Sequence, residues 1–311
     1  MLKRTLLASA ALLSVSANAY MFEGTYSYYD ASQENEANGR SLNNDTDTTG
    51  HEVELNVYLE DVDVSKGAWD EAAFLNQSSF VSGSFLGLEQ KPSIVDQEAD
   101  EKVEIFTVGG RSVINGLIIQ GAISTTKFRA SDGQARGQES SFGFGGYFGE
   151  NHSLTGDISF IGGQLADFYP IGSMDDAYTY RLGLNYHGYF PIGDSKQSMS
   201  LDANVYGQST SFDDLDADGS GSGLSAVFTY FPFPQLGVGA DLETAVTNLN
   251  ASGDNDLDIT NTSFDVFVHW YPVEQFRFGG GVGAVSTEFD DGDTKLESDG
   301  AEFFVDLRIR F

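Results

Sequence analysis

The sequence predicts an all-β protein, a closed antiparallel transmembrane β-barrel of about fourteen strands. The last eleven residues, Ala301 to Phe311, place an apolar side chain at every second position and end in an aromatic residue. Apart from a short N-terminal run, no stretch is long and apolar enough for a membrane-spanning helix. Segments of roughly ten residues instead alternate between apolar and polar side chains, as barrel strands with one lipid face do.

The strand prediction rests on this alternation. Because successive side chains of a strand point to opposite faces, Val266 and Val268 would face lipid while Asp265 and His269 face the interior. The alternation is clearer in the last seven segments than in the first seven, so twelve or sixteen strands also fit. The fourteen segments lie near residues 20–29, 51–61, 79–90, 103–112, 116–128, 139–149, 152–161, 177–190, 197–208, 222–231, 235–247, 259–271, 275–287 and 301–311.

The N-terminus has the pattern of a cleaved leader. Lys3 and Arg4 precede the apolar run from Leu6 to Val15, and Ala17-Asn18-Ala19 forms an A-x-A cleavage site. A membrane anchor would need about 20 apolar residues, and this run is about half that length. We therefore predict a signal peptide over residues 1–19 and an outer-membrane barrel over residues 20–311.

The chain is strongly acidic and contains no cysteine. Without the two basic residues of the leader, 14 basic residues stand against 47 acidic ones, a net charge of −33. This charge excludes binding to the nucleic-acid backbone. The absence of cysteine excludes disulfides, thiolate catalysis and cysteine-based zinc sites.

Short and long connections alternate from residue 116 onward. Tight turns lie at 149–152, 190–194, 231–234 and 271–274, and longer polar stretches lie at 129–138, 162–176, 209–221, 248–258 and 288–300. Acidic clusters, such as 34–47 and 290–299, are expected to form loops. Tight turns are periplasmic in bacterial barrels, which places the barrel's two chain ends on that side. The aromatic residues beside these turns would form an interfacial girdle: Phe190, Phe231, Phe233, Trp270, Tyr271 and Phe276.

One connection on the tight-turn side is long. Residues 66–76 read K-G-A-W-D-E-A-A-F-L-N, and their Ala, Glu and Leu content favours a short helix near 67–76. With the leader, the length and the final strand, the pattern K-G-x-x-x-E-A-A-F-L-N resembles a group of γ-proteobacterial outer-membrane porins, which implies a porin-like barrel. Trp69, Glu71 and Phe74 are candidate constriction residues if this helix enters the lumen. The simpler interpretation is a small apolar cap on a long turn.

The lumen face follows from the lipid face by parity. A charge on the lipid face would cost about 2–4 kcal/mol at mid-bilayer, so charged residues are assigned inward. Separated acidic and basic rows could orient polar solutes in an open pore, and a closed, salt-bridged interior is the alternative. A fourteen-stranded barrel is intermediate between filled eight-stranded barrels and sixteen-stranded porins, which favours the pore. The predicted pore-lining residues are Glu52, Glu54, Glu60, Arg181, His187, Asp202, Asp241, Glu243, Asp265, Arg277, Asp306, Arg308 and Arg310.

One loop has part of a calcium-binding pattern. Asp214, Asp216 and Asp218, followed by Gly219, match the first half of an EF-hand loop, in which alternate carboxylates converge on Ca²⁺. Ser225 stands where the bidentate Glu should be, which argues against high affinity. No other cofactor is expected.

Enzymatic activity is not predicted. The four histidines are His51, His152, His187 and His269. None lies beside a Ser or Asp cluster in the sequence that would suggest a catalytic dyad.

These observations predict a porin-like channel in the outer membrane of a Gram-negative bacterium. It would pass small hydrophilic solutes by passive diffusion, and the acidic mouth favours cations. The alternative is a closed or plugged surface-interaction barrel whose acidic extracellular loops bind divalent cations. Expected partners are outer-membrane lipid, lipopolysaccharide, small polar solutes and the barrel-assembly machinery, for which Phe311 would be the assembly signal. Nothing in the sequence indicates an oligomeric state.

Overall fold

A single closed sheet forms the molecule. The computed structural model describes residues 19–38, 40–92, 101–130, 133–165, 174–193, 195–212, 217–250, 256–292 and 294–311. Each of the fourteen antiparallel strands pairs with its neighbours in sequence, and β1 pairs with β14. The predicted barrel class and strand number are therefore confirmed. The predicted signal peptide, except for Ala19, lies outside the described residues.

The strands are longer than the segments that predicted them. They are β1 Ala19–Ala37, β2 Arg40–Asp63, β3 Phe80–Pro92, β4 Glu101–Ile114, β5 Leu117–Ala130, β6 Gly133–Tyr147, β7 His152–Leu165, β8 Met174–Pro191, β9 Ser198–Phe212, β10 Ala217–Phe233, β11 Leu236–Asn250, β12 Asp256–Val273, β13 Phe276–Asp290 and β14 Lys295–Arg310. Among the described residues, no helix is long and apolar enough to cross a membrane.

The predicted short helix lies between β2 and β3. Two 3₁₀ turns cover Val64–Lys66 and Trp69–Glu71, and one α-helical turn, α1, covers Ala72–Leu75. We call residues 64–79 the inserted segment.

Side chains alternate between an apolar outer face and a polar interior. On β12, Val266 is 45% exposed and Trp270 is 52% exposed on the outer face, whereas Asp265 and His269 line an interior cavity. Since the strands hydrogen-bond in a closed ring, the backbone groups within the apolar band are paired, as a bilayer requires.

Within the residues that the structure describes, the acidic clusters are largely strand, so their prediction as loops is wrong there. Glu34 of β1 pairs with Asp45 of β2, and Asp290 of β13 pairs with Lys295 of β14. The reason is that a strand beyond the membrane needs no apolar face. Its backbone pairing continues while both faces meet water, and the apolar signal that marks a strand in the sequence disappears.

The barrel has two different ends. Short turns join the strands at one end, which we call the turn end; it also holds the inserted segment and the barrel's two chain ends. There, Asn115 and Gly116 both have positive φ, as a two-residue type I′ hairpin turn requires. Phe311 closes the sheet at the same end by donating its backbone N–H to the carbonyl of Phe22. We call the opposite end the loop end.

The predicted aromatic girdle is only partly correct. Phe190, Phe233 and Trp270 are exposed on the outer face near the turn end. Phe231 and Tyr271 are buried, 1% and 2% exposed, and they face the inserted segment instead. Their inward position follows from the regular alternation of β10 and β12, on which Phe228 and Trp270 face outward. The register shifts after Tyr230 and after Trp270 then return Phe233 and Val273 to the outer face.

The apolar outer face leads to a prediction about the stability of the barrel. Val266 of β12 lies between Ala240 of β11 and Val282 of β13 on the outer face. Val266→Arg should therefore destabilise the barrel in vesicles by about 2–4 kcal/mol. Ser225→Arg is the matched control, because Ser225 faces the lumen beside Glu243 and should tolerate the charge. Urea unfolding of the refolded variants measures both. Equal losses for the two variants would contradict the assigned lipid face.

Candidate functional site

The inserted segment folds back into the barrel from the turn end. Its first turn is capped by Asp63, whose carboxylate accepts from the backbone N–H of Ser65 at 2.8 Å. Asn76 closes the other side by donating its side-chain amide to the carbonyls of Asp63 and Ala72, both at 2.7 Å. These local bonds make a compact unit of the segment.

Apolar contacts hold this unit against two regions of the wall. Val64 and Ala72 pack with Tyr20 and Tyr58 on β1 and β2. On the other side, Ala68 and Leu75 pack with Tyr189 of β8 and Phe231 of β10. The segment therefore lies between strands that are distant from each other in the barrel.

At Gly67, the backbone of the segment lies very close to the side chains of Leu75 and Tyr189. A Cβ atom at this position would lie 2.6 Å from both Leu75 Cδ1 and Tyr189 Oη. The Tyr189 hydroxyl also accepts the backbone N–H of Ala68 at 3.1 Å. A larger residue would push the segment away from β8.

Asp70 is the main polar anchor of the segment. Its Oδ1 accepts from Arg277 Nη1 at 2.9 Å, Arg308 Nη1 at 3.2 Å and the Tyr271 hydroxyl at 2.7 Å. Its Oδ2 lies 2.8 Å from His269 Nδ1. Burial alone would raise the pKa of Asp70, but the Arg277 guanidinium and the His269 hydrogen bond hold that pKa well below its usual range. Asp70 is thus a charged carboxylate that ties the segment to β12, β13 and β14.

Arg310 provides a second anchor. It donates Nε–H to Glu23 Oε2 at 2.7 Å and Nη1–H to the backbone carbonyl of Trp69 at 2.9 Å. Its guanidinium lies over the rings of Tyr20 and Tyr271, 4.5 and 4.8 Å from their centroids. The last strand therefore fixes the segment as well as closing the sheet.

A third set of contacts reaches the opposite wall. Glu71 Oε2 lies 2.8 Å from His187 Nε2, and His187 Nδ1 contacts Asp202. The ring of Phe74 lies 3.8 Å from the His187 ring, and the Tyr147 hydroxyl donates to the Phe74 carbonyl at 3.2 Å. These charged and aromatic contacts are more extensive than a purely apolar cap would make.

Cavities occupy the lumen beyond the segment. One, of about 580 Å³, is lined by Glu71 and Phe74 together with wall residues such as His187 and Asp202. Another, of about 480 Å³, is lined by Asp157, Arg181 and Glu243 among others. The interior is thus polar and partly open.

The structure places nearly all the predicted lumen residues on the inner face. Glu60 differs, because it is exposed in the stretch of β2 where pairing with β1 shifts register. The inner-face residues are Glu52, Glu54, Arg181, His187, Asp202, Asp241, Glu243, Asp265, Arg277, Asp306, Arg308 and Arg310.

Charge is distributed unevenly along the lumen. At the turn end, Arg277, Arg308 and Arg310 lie against the carboxylates of Asp70, Asp306 and Glu23, so positive and negative groups balance there. Farther in, several inward carboxylates make no ion pair with a described side chain: Glu52, Glu54, Asp157, Asp241, Glu243, Asp265 and Glu302. The lumen beyond the segment is therefore net acidic.

Several of these residues were missing from the sequence-based set. Asp157 and Glu302 follow the same parity rule and could have been assigned from their alternation with Ile158 and Phe303. Asp70 carried no such signal, because its partner His269 lies 199 residues away in the sequence.

The histidines have partners that sequence proximity did not indicate. Both His187 and His269 contact carboxylates that come from distant parts of the chain, namely Glu71 and Asp70. Nothing in the sequence indicated these contacts, because the partners are distant along the chain. Their observed partners are carboxylates rather than a serine hydroxyl, the arrangement of structural ion pairs.

The calcium pattern is only partly within the described residues. Asp214 and Asp216 lie outside them. Asp218 lies in β10, where it accepts from the side chain of Asn250 at 3.2 Å. In the part of the chain that the structure describes, no group of three or more His, Asp or Glu side chains is arranged to hold a metal ion.

A closed barrel with an apolar outer band and a charged, partly open lumen defines the class of membrane-spanning channel barrels. The family described as putative general bacterial porin matches residues 1–191, and the chain belongs to this family. No curated protein matches the sequence.

Solved structures of outer-membrane proteins share the fold. The toluene transporter TodX of Pseudomonas putida is 8% identical, with a TM-score of 0.52 over 97% of this chain and 92% of that one. The COG4313 outer membrane channel of P. putida F1 is 10% identical, with a TM-score of 0.49 over 96% and 97%. Omp33 of Acinetobacter baumannii is 15% identical, with a TM-score of 0.47 over 95% and 100%. The family and the barrel fold support a channel role in the outer membrane.

Proposed function

We propose that the protein is a passive diffusion channel for small hydrophilic solutes that prefers cations. The distribution of ion pairs carries the proposal. The arginines of the last two strands are neutralised at the turn end. Beyond them, seven inward carboxylates lack ionic partners among the described side chains, against only two such arginines in the described lumen, Arg111 and Arg181. A cation entering the lumen would therefore meet a negative potential.

The inserted segment would form the constriction of this channel. It carries Trp69, Glu71 and Phe74 on the turn end, which is the periplasmic end in bacterial barrels. Phe74 and Glu71 line the cavity beside His187 and Asp202, so solutes leaving the lumen would pass between the segment and this wall.

Single-channel recording tests the proposal. The mature barrel would be refolded into a planar bilayer and its current measured in asymmetric KCl. Steady conductance with a cation-selective reversal potential is expected. An anion-selective potential would contradict the cation preference while leaving a channel in place.

A charge substitution gives a sharper test of selectivity. Glu243→Gln removes one unpaired carboxylate from the lumen. One charge about 4 Å from a passing ion contributes about 1 kcal/mol in water, so the cation-to-anion permeability ratio should fall about twofold to fivefold. Glu34→Gln removes the same charge from the outer face of β1 and should change the ratio much less. Equal effects would assign selectivity to the overall charge rather than to the lumen.

The anchoring of the segment also favours a second candidate, a plugged barrel that acts through its acidic surface. The segment contacts wall residues on several strands around the barrel, among them β1, β2, β8, β10, β13 and β14. A correctly folded barrel without conductance would replace the channel proposal with this one.

A further inference from the structure

Basic side chains are concentrated on one part of the outer surface. They lie on β3 to β6 at the loop end, and all are exposed. We call this set the basic patch: Lys91, Lys102, Lys127, Arg129 and Arg136. It contains five of the 14 basic residues in a mature chain whose net charge is −33.

The patch faces outward rather than into the lumen. On β4, Lys102 has the same parity as Phe106, and on β5, Lys127 and Arg129 have the same parity as Ile123. Phe106 and Ile123 are exposed on the apolar outer band. The basic side chains therefore continue the lipid-facing surface toward the loop end.

Like charges stand directly opposite one another in the patch. The strand register pairs Lys102 with Arg129, and Lys127 with Arg136. Like charges in directly opposed positions destabilise a sheet. Each pair has one carboxylate on its other side, because the register places Glu89 opposite Lys102 and Glu104 opposite Lys127. An anion between the two basic side chains would offset the remaining repulsion.

The acidic neighbours compensate only part of this charge. Glu89 lies 3.4 Å from Lys91 and 3.5 Å from Lys102, and Glu104 lies 3.0 Å from Arg129. Lys127 and Arg136 form no salt bridge with a described side chain. With Asp47, which the register places opposite Lys91, three carboxylates thus face five basic groups.

The height of the patch matches a lipid headgroup layer. Lys127 is four residues beyond Ile123, and Lys102 is four residues beyond Phe106. At about 3.3 Å per residue in strands tilted by about 40°, these side chains lie about 10 Å beyond the last apolar residues. Headgroup phosphates of a bilayer occupy this zone.

The outer face at the loop end is acidic on the other side of the barrel. On β1, β13 and β14, the outer face at the loop end carries a single lysine, Lys295, which is paired with Glu288 at 3.0 Å and also with Glu297. Its acidic residues include Glu34, Glu36, Glu288, Asp290, Glu297 and Asp299. The basic patch is therefore specific to one side and does not reflect a general belt.

We propose that the basic patch binds the headgroup phosphates of a polyphosphorylated lipid in the outer leaflet, such as lipopolysaccharide. Lys127 and Arg136 would hold one phosphate between them, because ammonium and guanidinium groups donate charge-assisted hydrogen bonds to phosphate oxygens. Lys102 and Arg129 would hold a second phosphate in the same way. This inference is independent of conduction through the lumen.

Lipid binding by matched variants tests the inference. The refolded barrel would be titrated with bisphosphorylated lipid A in neutral detergent, and bound lipid counted by native mass spectrometry. Each basic residue near an anionic membrane surface contributes about fivefold, so the double variant K127Q/R136Q should bind lipid A about twenty-five-fold more weakly. K295Q removes a loop-end lysine from the acidic side of the outer face and should bind like the wild type.

Stability provides a second readout that a merely structural patch would not produce. Without lipid A, K127Q/R136Q should melt at the same temperature as the wild type or higher, because the like-charge contact is gone. With lipid A, the wild type should gain more thermal stability than the variant. A variant that is less stable without lipid would assign the two residues to folding and overturn the proposal.

Other occupants of the patch give different results. Equal binding of lipid A and its dephosphorylated form would overturn phosphate recognition. Inorganic phosphate alone producing the full stabilisation would indicate a free-anion site instead of a lipid site. Dimers that form without lipid and disappear in K127Q/R136Q would assign the patch to the acidic face of a second copy.

Discussion

Replacing Gly67 to Asn76 with a short Gly-Ser linker should raise the single-channel conductance several-fold. These residues fill part of the turn end, and their contacts extend from Tyr189 on β8 to Arg310 on β14. Removing them would join the cavity beside His187 to the solvent at that end. The conductance of wild type and variant would be compared in the same bilayer and the same salt.

The variant must first be shown to form a barrel, because deleting the segment removes Asp70 and leaves Arg277 and Arg308 without that partner. Strand content and resistance to unfolding in detergent provide that check. Glu150→Gln is the matched control, since it removes a carboxylate from a turn at the same end without altering the segment. Its conductance should equal that of the wild type.

The outcomes separate the candidate functions. A conducting wild type with a larger current in the variant supports a constricted channel. A silent wild type with a conducting variant supports the plugged barrel. Equal currents in both proteins would show that the segment does not limit the pore, and the constriction assigned to Trp69, Glu71 and Phe74 would be wrong.

The barrel could be predicted because the alternation of apolar and polar side chains is a local, periodic feature of each strand. Each strand within the bilayer must alternate apolar and polar side chains, and residues 264–270 display this alternation without reference to any other strand. The strand ends were not predictable by the same rule. Beyond the membrane, Glu34 and Asp45 continue the sheet with both faces wet, so the periodic apolar signal is missing.

The inserted segment illustrates a different limit of sequence reasoning. Its helical tendency could be identified from Ala72, Ala73 and Leu75. Its position inside the barrel depends on Asp70 meeting arginines more than 200 residues away, Arg277 and Arg308. Helix propensity and hydrophobic periodicity depend on residues that are near one another in the sequence. They therefore cannot predict a contact between Asp70 and an arginine more than 200 residues away.

The same pairing removes an ambiguity in the sequence. The arginines of the last two strands could have formed a basic row that selects anions. In the structure, Arg277 contacts Asp306 and Asp70, and Arg310 contacts Glu23. Their charge therefore holds the segment and the final strands together, and the inference of cation preference depends on this neutralisation.

Arg277→Met should cost about 3–5 kcal/mol of unfolding free energy, the range for removing one partner of a buried ion pair. Arg277 is 5% exposed and donates to Asp306 Oδ1 from Nε at 3.0 Å and from Nη2 at 2.6 Å. Without it, Asp306 is left with His269 Nε2 at 3.9 Å as its nearest ionic partner among the described side chains. Urea unfolding of the barrel in vesicles measures the loss.

Two further variants show whether the loss comes from the unpaired charge. Arg277→Met combined with Asp306→Asn should recover part of the stability, because the second change removes the carboxylate that the first leaves without its arginine partner. Arg181→Met is the control for deleting a lumenal arginine. Arg181 contacts Gln208 and the ring of Tyr206 and no described carboxylate, so its loss should stay within about 1 kcal/mol. If Arg181→Met and Arg277→Met were equally destabilising, the packing of any lumenal arginine would explain the effect, and the ion pairs at the turn end would not be what fixes the inserted segment.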